Sequence, residues 1–174
     1  HVALASVRAG NVIGGGDWAL DRIIPDCIKA LEAGKGIDIR SPKAIRPWQH
    51  VLEPLSGYML LATKMWEEPT KYCEGWNFGP RAESITPVWD VATDVIKNYG
   101  SGKLNDNSNS NVLHEAKLLM LDISKAKFQL GWEPRMNIHQ CIELTVDWYK
   151  KYQNVDSIYM LCLNEIFKFT SYKK

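Results

Sequence analysis

The sequence predicts an α/β fold, and three observations carry that expectation. Short apolar runs bounded by glycine and proline read as strands, apolar residues at helical spacing separate them, and the composition is that of a globular protein with one core. With 45% hydrophobic side chains against 24% charged ones, 174 residues are enough to bury such a core.

The chain opens at His1, and residues 2–8 follow at once as a short apolar run that reads as a buried strand without a lead-in, as expected of a chain that continues a larger protein. Gly10-Asn11-Val12-Ile13-Gly14-Gly15-Gly16-Asp17-Trp18 is a loop by its glycine density. A helix is predicted from Pro25, because proline suits the first helical turn and Ile24, Cys27, Ile28 and Leu31 share one face before Gly34 ends it. Residues 37–40 and 49–52 are strand candidates. Pro54 opens a second helix with Leu55, Met59, Ala62 and Trp66 along one stripe, and residues 75–79 close a strand with a turn. Thr86-Pro87 is read as cap and first turn of a helix running to Gly100, and residues 101–111, rich in Ser, Asn and Asp, as a loop. Asn137 with Gln140 makes a capping-box pattern ahead of Ile138, Cys141, Ile142, Thr145 and Tyr149. A last helix carries Ile158, Leu161, Cys162, Ile166 and Phe169.

The formal charge is +1 and no block of like charges stands out, which disfavours a nucleic-acid groove or an anionic membrane surface. Any anionic ligand is therefore held by a few placed cations. Cys27, Cys73, Cys141 and Cys162 are far apart and fit reduced thiols, so a cytoplasmic protein is expected. His114-Glu115 opens like H-E-x-x-H, but Leu118 stands where the second histidine belongs, and no metal is expected.

Gly14-Gly15-Gly16-Asp17-Trp18-Ala19 matches G-x-G-x-x-A, with Asp38 about 20 residues on as a candidate ribose ligand. A dinucleotide site also needs the helix N-terminus to follow at once, and Pro25 places it several residues later. A glycine-rich turn that lets backbone approach a ligand or another loop fits better.

Arg8-Ala9-Gly10-Asn11-Val12-Ile13-Gly14 with Ile24-Pro25, then Arg46-Pro47-Trp48-Gln49-His50-Val51, Trp76-Asn77-Phe78-Gly79 and Leu130-Gly131-Trp132-Glu133-Pro134, resemble in that order signatures of the extended short-chain dehydrogenase/reductases, the NAD-dependent epimerase/dehydratase family. Gly14-Gly15-Gly16-Asp17-Trp18, the stretch from Ile45 to Tyr58, and Leu113-His114-Glu115-Ala116 resemble the branch that dehydrates CDP-glucose. The resemblance implies the end of a Rossmann sheet plus a small mixed α/β substrate-binding domain, so residues 1–174 are expected to be the C-terminal, substrate-binding portion, without the NAD-binding half. It implies a reaction that oxidises the sugar at C4 with bound NAD, removes water across C5 and C6, and returns the hydride to C6. The family's Tyr-x-x-x-Lys pair has no match at Tyr149, followed at that distance by Gln153, or at Tyr152, followed by Asp156. No catalytic residue is assigned: the resemblance places the cofactor loop and the acid and base groups before His1, and the chain alone is expected to be inactive.

The same resemblance assigns CDP-glucose to Arg46 as phosphate ligand, Asn11 as amide donor, and Arg22 as a cation just before the helix. A planar guanidinium fork suits a diphosphate. Arg40, Trp18, His114 and Glu115 complete the candidate substrate contacts. From spacing alone, each arginine equally fits an ion-paired surface residue, Asn11 a turn, and Trp18, Trp48 and Trp76 either a sugar or base wall or a core position. His50 is read as structural. A homodimer, a role in deoxysugar synthesis for lipopolysaccharide O-antigen, and exposed apolar surface on the chain by itself complete the expectations. A sister epimerase, or a non-catalytic module that binds a nucleotide sugar or a partner protein, are the alternatives.

Overall fold

The strands pair in twos and the helices pack between the pairs. A computed structural model describes residues 2–108 and 119–172. Among these, β1 (Ser6–Ala9) runs parallel to β6 (Gly75–Phe78), β2 (Asn11–Ile13) to β5 (Trp48–His50), and β3 (Ile37–Ile39) to β8 (Leu104–Asp106), while β4 (Ile45–Arg46) lies antiparallel to β7 (Thr86–Pro87). The helices are α1 (Ile23–Glu32), α2 (Leu52–Glu67), α3 (Pro69–Tyr72), α4 (Val88–Tyr99), α5 (Ile138–Lys151) and α6 (Ile158–Ser171). This is the α/β class that the sequence predicts.

Two clusters hold the chain together. In the larger, Ile24, Cys27 and Ile28 of α1, Val91 and Val95 of α4, and Cys141, Ile142 and Val146 of α5 are buried together. Each such aliphatic side chain contributes roughly 1.5–3 kcal/mol by leaving water. In the smaller, Leu61 of α2 meets Trp76 and Phe78 of β6 and Trp132. Gly57 lets α2 approach that closely, because a Cβ there would sit 2.3 Å from the Phe78 ring.

Several elements differ from the sequence reading, each for a physical reason. The helix expected at Pro25 starts at Ile23 and the one expected at Pro54 starts at Leu52, so both prolines lie inside the first turn, where their missing N–H is harmless. Thr86 and Pro87 are extended and pair with β4, and α4 begins one residue later. The polar segment read as a loop from residue 101 contains β8, which β3 templates by parallel pairing. The α2 stripe of Leu55, Met59, Ala62 and Trp66 faces solvent, while Gly57 and Leu61 on the other side are buried. Only Leu161 and Phe169 of the expected α6 stripe are buried. His1 lies outside the described residues. The strand expected directly after it spans only Ser6–Ala9 and is mostly exposed rather than buried, with Val2, Leu4 and Val7 open to solvent, because β1 pairs with β6 alone. Apolar surface is therefore uncovered, as the sequence led us to expect. No helix among the described residues is long and apolar enough to cross a membrane.

Candidate functional site

β2 places Asn11 beside Trp48 of β5, and the Asn11 backbone N–H donates to the Pro47 carbonyl at 2.9 Å. The chain then turns through the three glycines and enters α1 at Ile23, with Arg22 as the N-cap residue. Between these elements lies a cleft of about 310 Å3, lined by Asn11, Gly14, Asp17, Asp21, Arg22 and Trp48, with the first turn of α1 at its floor. In that turn Pro25 has no N–H and the Asp26 N–H donates to the Arg22 carbonyl at 2.9 Å, which leaves the Ile23 and Ile24 amides and the helix dipole to favour an anion.

The loop carrying Asp17 and Arg22 is clamped from α5. Tyr149 Oη donates to the Asp17 carbonyl at 2.5 Å, and the Trp148 ring lies so close over Gly15 that a Cβ there would come within 2.1 Å of it. Trp18 meets the Tyr149 ring edge-on at 5.1 Å and Tyr152 at 5.2 Å, and Tyr152 stacks on Trp148. Lys29 Nζ donates to the Trp18 carbonyl at 2.8 Å. Burial, with the Asp17 charge adding to it, pushes the Tyr149 hydroxyl up to about 12, so it stays a donor at neutral pH.

Charge around the cleft is already matched in pairs. Arg22 Nε lies 3.7 Å from Asp17 Oδ2, and Arg40 Nη2 lies 2.8 Å from Asp21 Oδ1. Asp21 adopts a left-handed backbone (φ 58°), a conformation Asp tolerates better than most residues. The Asp17 Oδ1 also accepts from the Ala19 N–H at 3.0 Å.

Beneath the cleft, β5 and the start of α2 bury polar groups. Gln49 Nε2 donates to the Phe78 carbonyl at 2.8 Å, and the Leu52 N–H donates to His50 Nδ1 at 3.3 Å. Burial lowers the His50 imidazole to about 4, which keeps it neutral. Glu53 is fully buried and accepts from the backbone N–H groups of Arg135 and Met136, just ahead of α5.

The structure brings together Asn11 and Arg22, both lining the cleft. Arg40 reaches it only through Asp21. Arg46 sits on β4, half-buried, with Nη1 donating to the Ile45 carbonyl at 2.9 Å and its backbone paired with Thr86. It is two residues from Trp48 and is not part of the cleft lining. Trp18 points into the α5 aromatic cluster. His1, the position before which the catalytic groups are expected, lies outside the described residues, as do His114 and Glu115. Sequence reasoning did not single out Asp17 and Asp21 as cleft residues; the one signal for Asp17 was its place directly after three glycines. Trp76 is a core residue, whereas Trp48 is buried with one edge on the cleft.

The glycine loop does not fit a dinucleotide. Six residues separate Gly16 from the first residue of α1, so the helix amides do not converge on it, and Trp148 already occupies the face of Gly15 that a pyrophosphate would need. Asp38 Oδ1 accepts instead from Asn105 Nδ2 at 2.9 Å across the β3–β8 pair. Among the described residues no group of three His, Cys, Asp or Glu side chains could hold a metal ion. The buried Cys27 and Cys141 thiols are pushed up to about 12 by burial and are unreactive packing groups.

No family model matches the chain. It is 45% identical over 170 residues to the CDP-glucose 4,6-dehydratase of Salmonella typhimurium strain LT2, a match that takes in 98% of this chain and 47% of that protein. The chain thus spans about half the length of the curated relative it matches. Among solved structures it resembles dTDP-glucose 4,6-dehydratase from Bacillus anthracis in complex with NAD (TM-score 0.69, 21% identity, 84% of this chain and 44% of that one). It also resembles UDP-glucuronic acid 4-epimerase from Bacillus cereus in complex with UDP-glucuronic acid and NAD (TM-score 0.71, 22% identity, 87% and 46%). The fold is that of roughly half of an extended nucleotide-sugar dehydratase or epimerase.

Proposed function

From a likeness that runs through nearly the whole chain, we propose that it forms the nucleotide-sugar-binding half of a dehydratase converting CDP-glucose to CDP-4-keto-6-deoxyglucose. The observation that carries this reading is the cleft itself. It joins an anion-favouring helix N-terminus, an arginine fork at Arg22, an amide at Asn11 and an indole edge at Trp48 within a space of about 310 Å3, at the small end of the range for ligand clefts. A diphosphate needs the first two and a sugar or base the others.

In this reading Arg46 and Arg40 reach the phosphates from the rim. NAD is not held at the Gly14–Gly16 turn in this reading, because the Trp148 ring covers Gly15. When bound, that cofactor would accept and return the hydride. The residues of this chain bind and orient the sugar nucleotide; the acid and base groups lie with the cofactor. A homodimer, a cytoplasmic location and a place in deoxysugar synthesis for lipopolysaccharide O-antigen belong to the same proposal.

The test is isothermal titration of the chain with CDP-glucose, dTDP-glucose and NAD. CDP-glucose binding in preference to dTDP-glucose, without NAD binding, is the expected result. NAD binding would move the site to the glycine turn, and preference for dTDP-glucose would refute the base assignment.

A further inference from the structure

We propose that Asp17 and Asp21 are internal stand-ins for the ligand's phosphates, each holding an arginine that the diphosphate takes over on binding, so that these two carboxylates set the affinity and charge selectivity of the cleft. The proposal rests on the nucleotide-sugar reading. It starts from a mismatch: the charged side chains lining the cleft are Asp17, Asp21 and Arg22, two acids against one base. A doubly charged diphosphate entering that lining meets net repulsion unless the arginines change partner.

The geometry makes such an exchange easy. The Arg22–Asp17 pair is loose at 3.7 Å and the Arg40–Asp21 pair is highly exposed, with side chains 77% and 78% accessible. Exposed pairs of this kind contribute little to stability. Each engages a single guanidinium nitrogen, whereas a phosphate can take two in parallel. The carboxylates are the partners on shorter tethers. The Asp17 carbonyl is held by Tyr149 and its Oδ1 by the Ala19 amide, while Asp21 sits on a left-handed backbone position just before α1 with its side chain exposed. The arginines are the movable ones, on long exposed side chains beside the free amides of α1. Turning either one from its aspartate toward the cleft keeps the arginine paired with an anion and leaves the aspartate, exposed on the surface, to water, where the loss of its partner costs little. The freed aspartates then repel any ligand that brings negative charge without engaging the arginines.

The test uses two near-isosteric variants. Asp21→Asn keeps a residue that tolerates the left-handed conformation, and Asp17→Asn keeps the oxygen that accepts from Ala19. Titration of the chain with CDP-glucose is expected to show each variant binding about fivefold tighter, equivalent to about 1 kcal/mol, with a weaker dependence on salt, and the double variant tighter still. Uncharged cytidine is expected to bind all forms alike. Binding to the double variant when the unsubstituted chain shows none also supports the exchange. Unchanged or weaker CDP-glucose binding in the variants overturns the proposal while leaving the cleft reading intact, because the aspartates would then contact the sugar or lie off the path. Absence of binding to every form overturns both.

Discussion

Glu53 holds Met136 in place: its Oε1 accepts from the Met136 N–H at 2.7 Å and from the neighbouring Arg135 N–H at 2.8 Å. The contact ties the first turn of α2 to the segment that leads into α5. Burial raises the Glu53 carboxyl above its usual range, and the two amides oppose that shift. Removing the acceptor would strand two donors, each costing roughly 1–3 kcal/mol where buried. Glu53→Ala is therefore expected to lower the unfolding free energy by about 2–4 kcal/mol, and Glu53→Gln, which keeps a carbonyl oxygen, by clearly less. Urea unfolding with a common slope checks both.

Gly15→Ala should be worse than its size suggests. The added carbon meets the Trp148 ring rather than open space, and overpacking of this kind costs about 1–3 kcal/mol. The loop bearing Asp17 and Arg22 must shift, so CDP-glucose affinity is expected to fall together with the melting temperature. Adding Trp148→Leu should restore part of both, which a double-mutant cycle by calorimetry and titration would reveal.

Acid should destabilise the chain through His50. Its folded pKa, about 4, lies below the unfolded value of 6.5, so the unfolded chain binds the extra proton first. Stability is full above about 6.5 and is lost as pH falls toward 4, by roughly 3 kcal/mol for this group. His50→Gln is expected to flatten that limb in denaturation curves recorded from pH 7 to pH 4.

Glu165 on α6 works in the opposite direction. Burial, with Asp147 beside it, raises its carboxyl to about 7, against the pull of Lys168 and Lys151. The folded chain then holds the proton more tightly than the unfolded chain, so this contribution is complete below about 4.5 and disappears as pH rises through 7. Glu165→Gln should remove the loss between pH 5 and pH 7.5, seen as a pH-independent melting of α6 by circular dichroism.

The exposed stripe of α2 should govern solubility rather than stability. Met59 is 73% exposed and Trp66 is 90% exposed, in line with Leu55. Met59→Lys with Trp66→Gln is expected to change unfolding free energy by less than about 0.5 kcal/mol and to reduce light scattering at high concentration.

That stripe also shows where sequence reading stops. Leu55, Met59, Ala62 and Trp66 have the spacing of a buried face, but periodicity reports only that a face is apolar, and Gly57 with Leu61 turned out to meet β6. By contrast the capping box at Asn137 and Gln140 is present as read, because both bonds are local. β8 escaped notice since Asn105 and Asp106 have no strand propensity and owe their conformation to β3. Asn11 and Arg22, named from their motif, both line the cleft. Asp17 and Asp21 were not singled out, because spacing does not tell which surface arginine each one meets, and Tyr149 was not, because its bond to Asp17 joins segments far apart in the chain. Trp18 is drawn toward α5 by aromatic partners that no local pattern reveals.

The bond from Tyr149 to Asp17 spans 132 positions. At about 5–20 residues per second, synthesis reaches Tyr149 roughly 7–26 s after Asp17 has been made. For that interval the triglycine turn has strands β2 and β5 to grow on but no clamp above it. The cleft wall thus takes its final form late in the life of the nascent chain, and a ribosome stalled before α5 cannot yet display it.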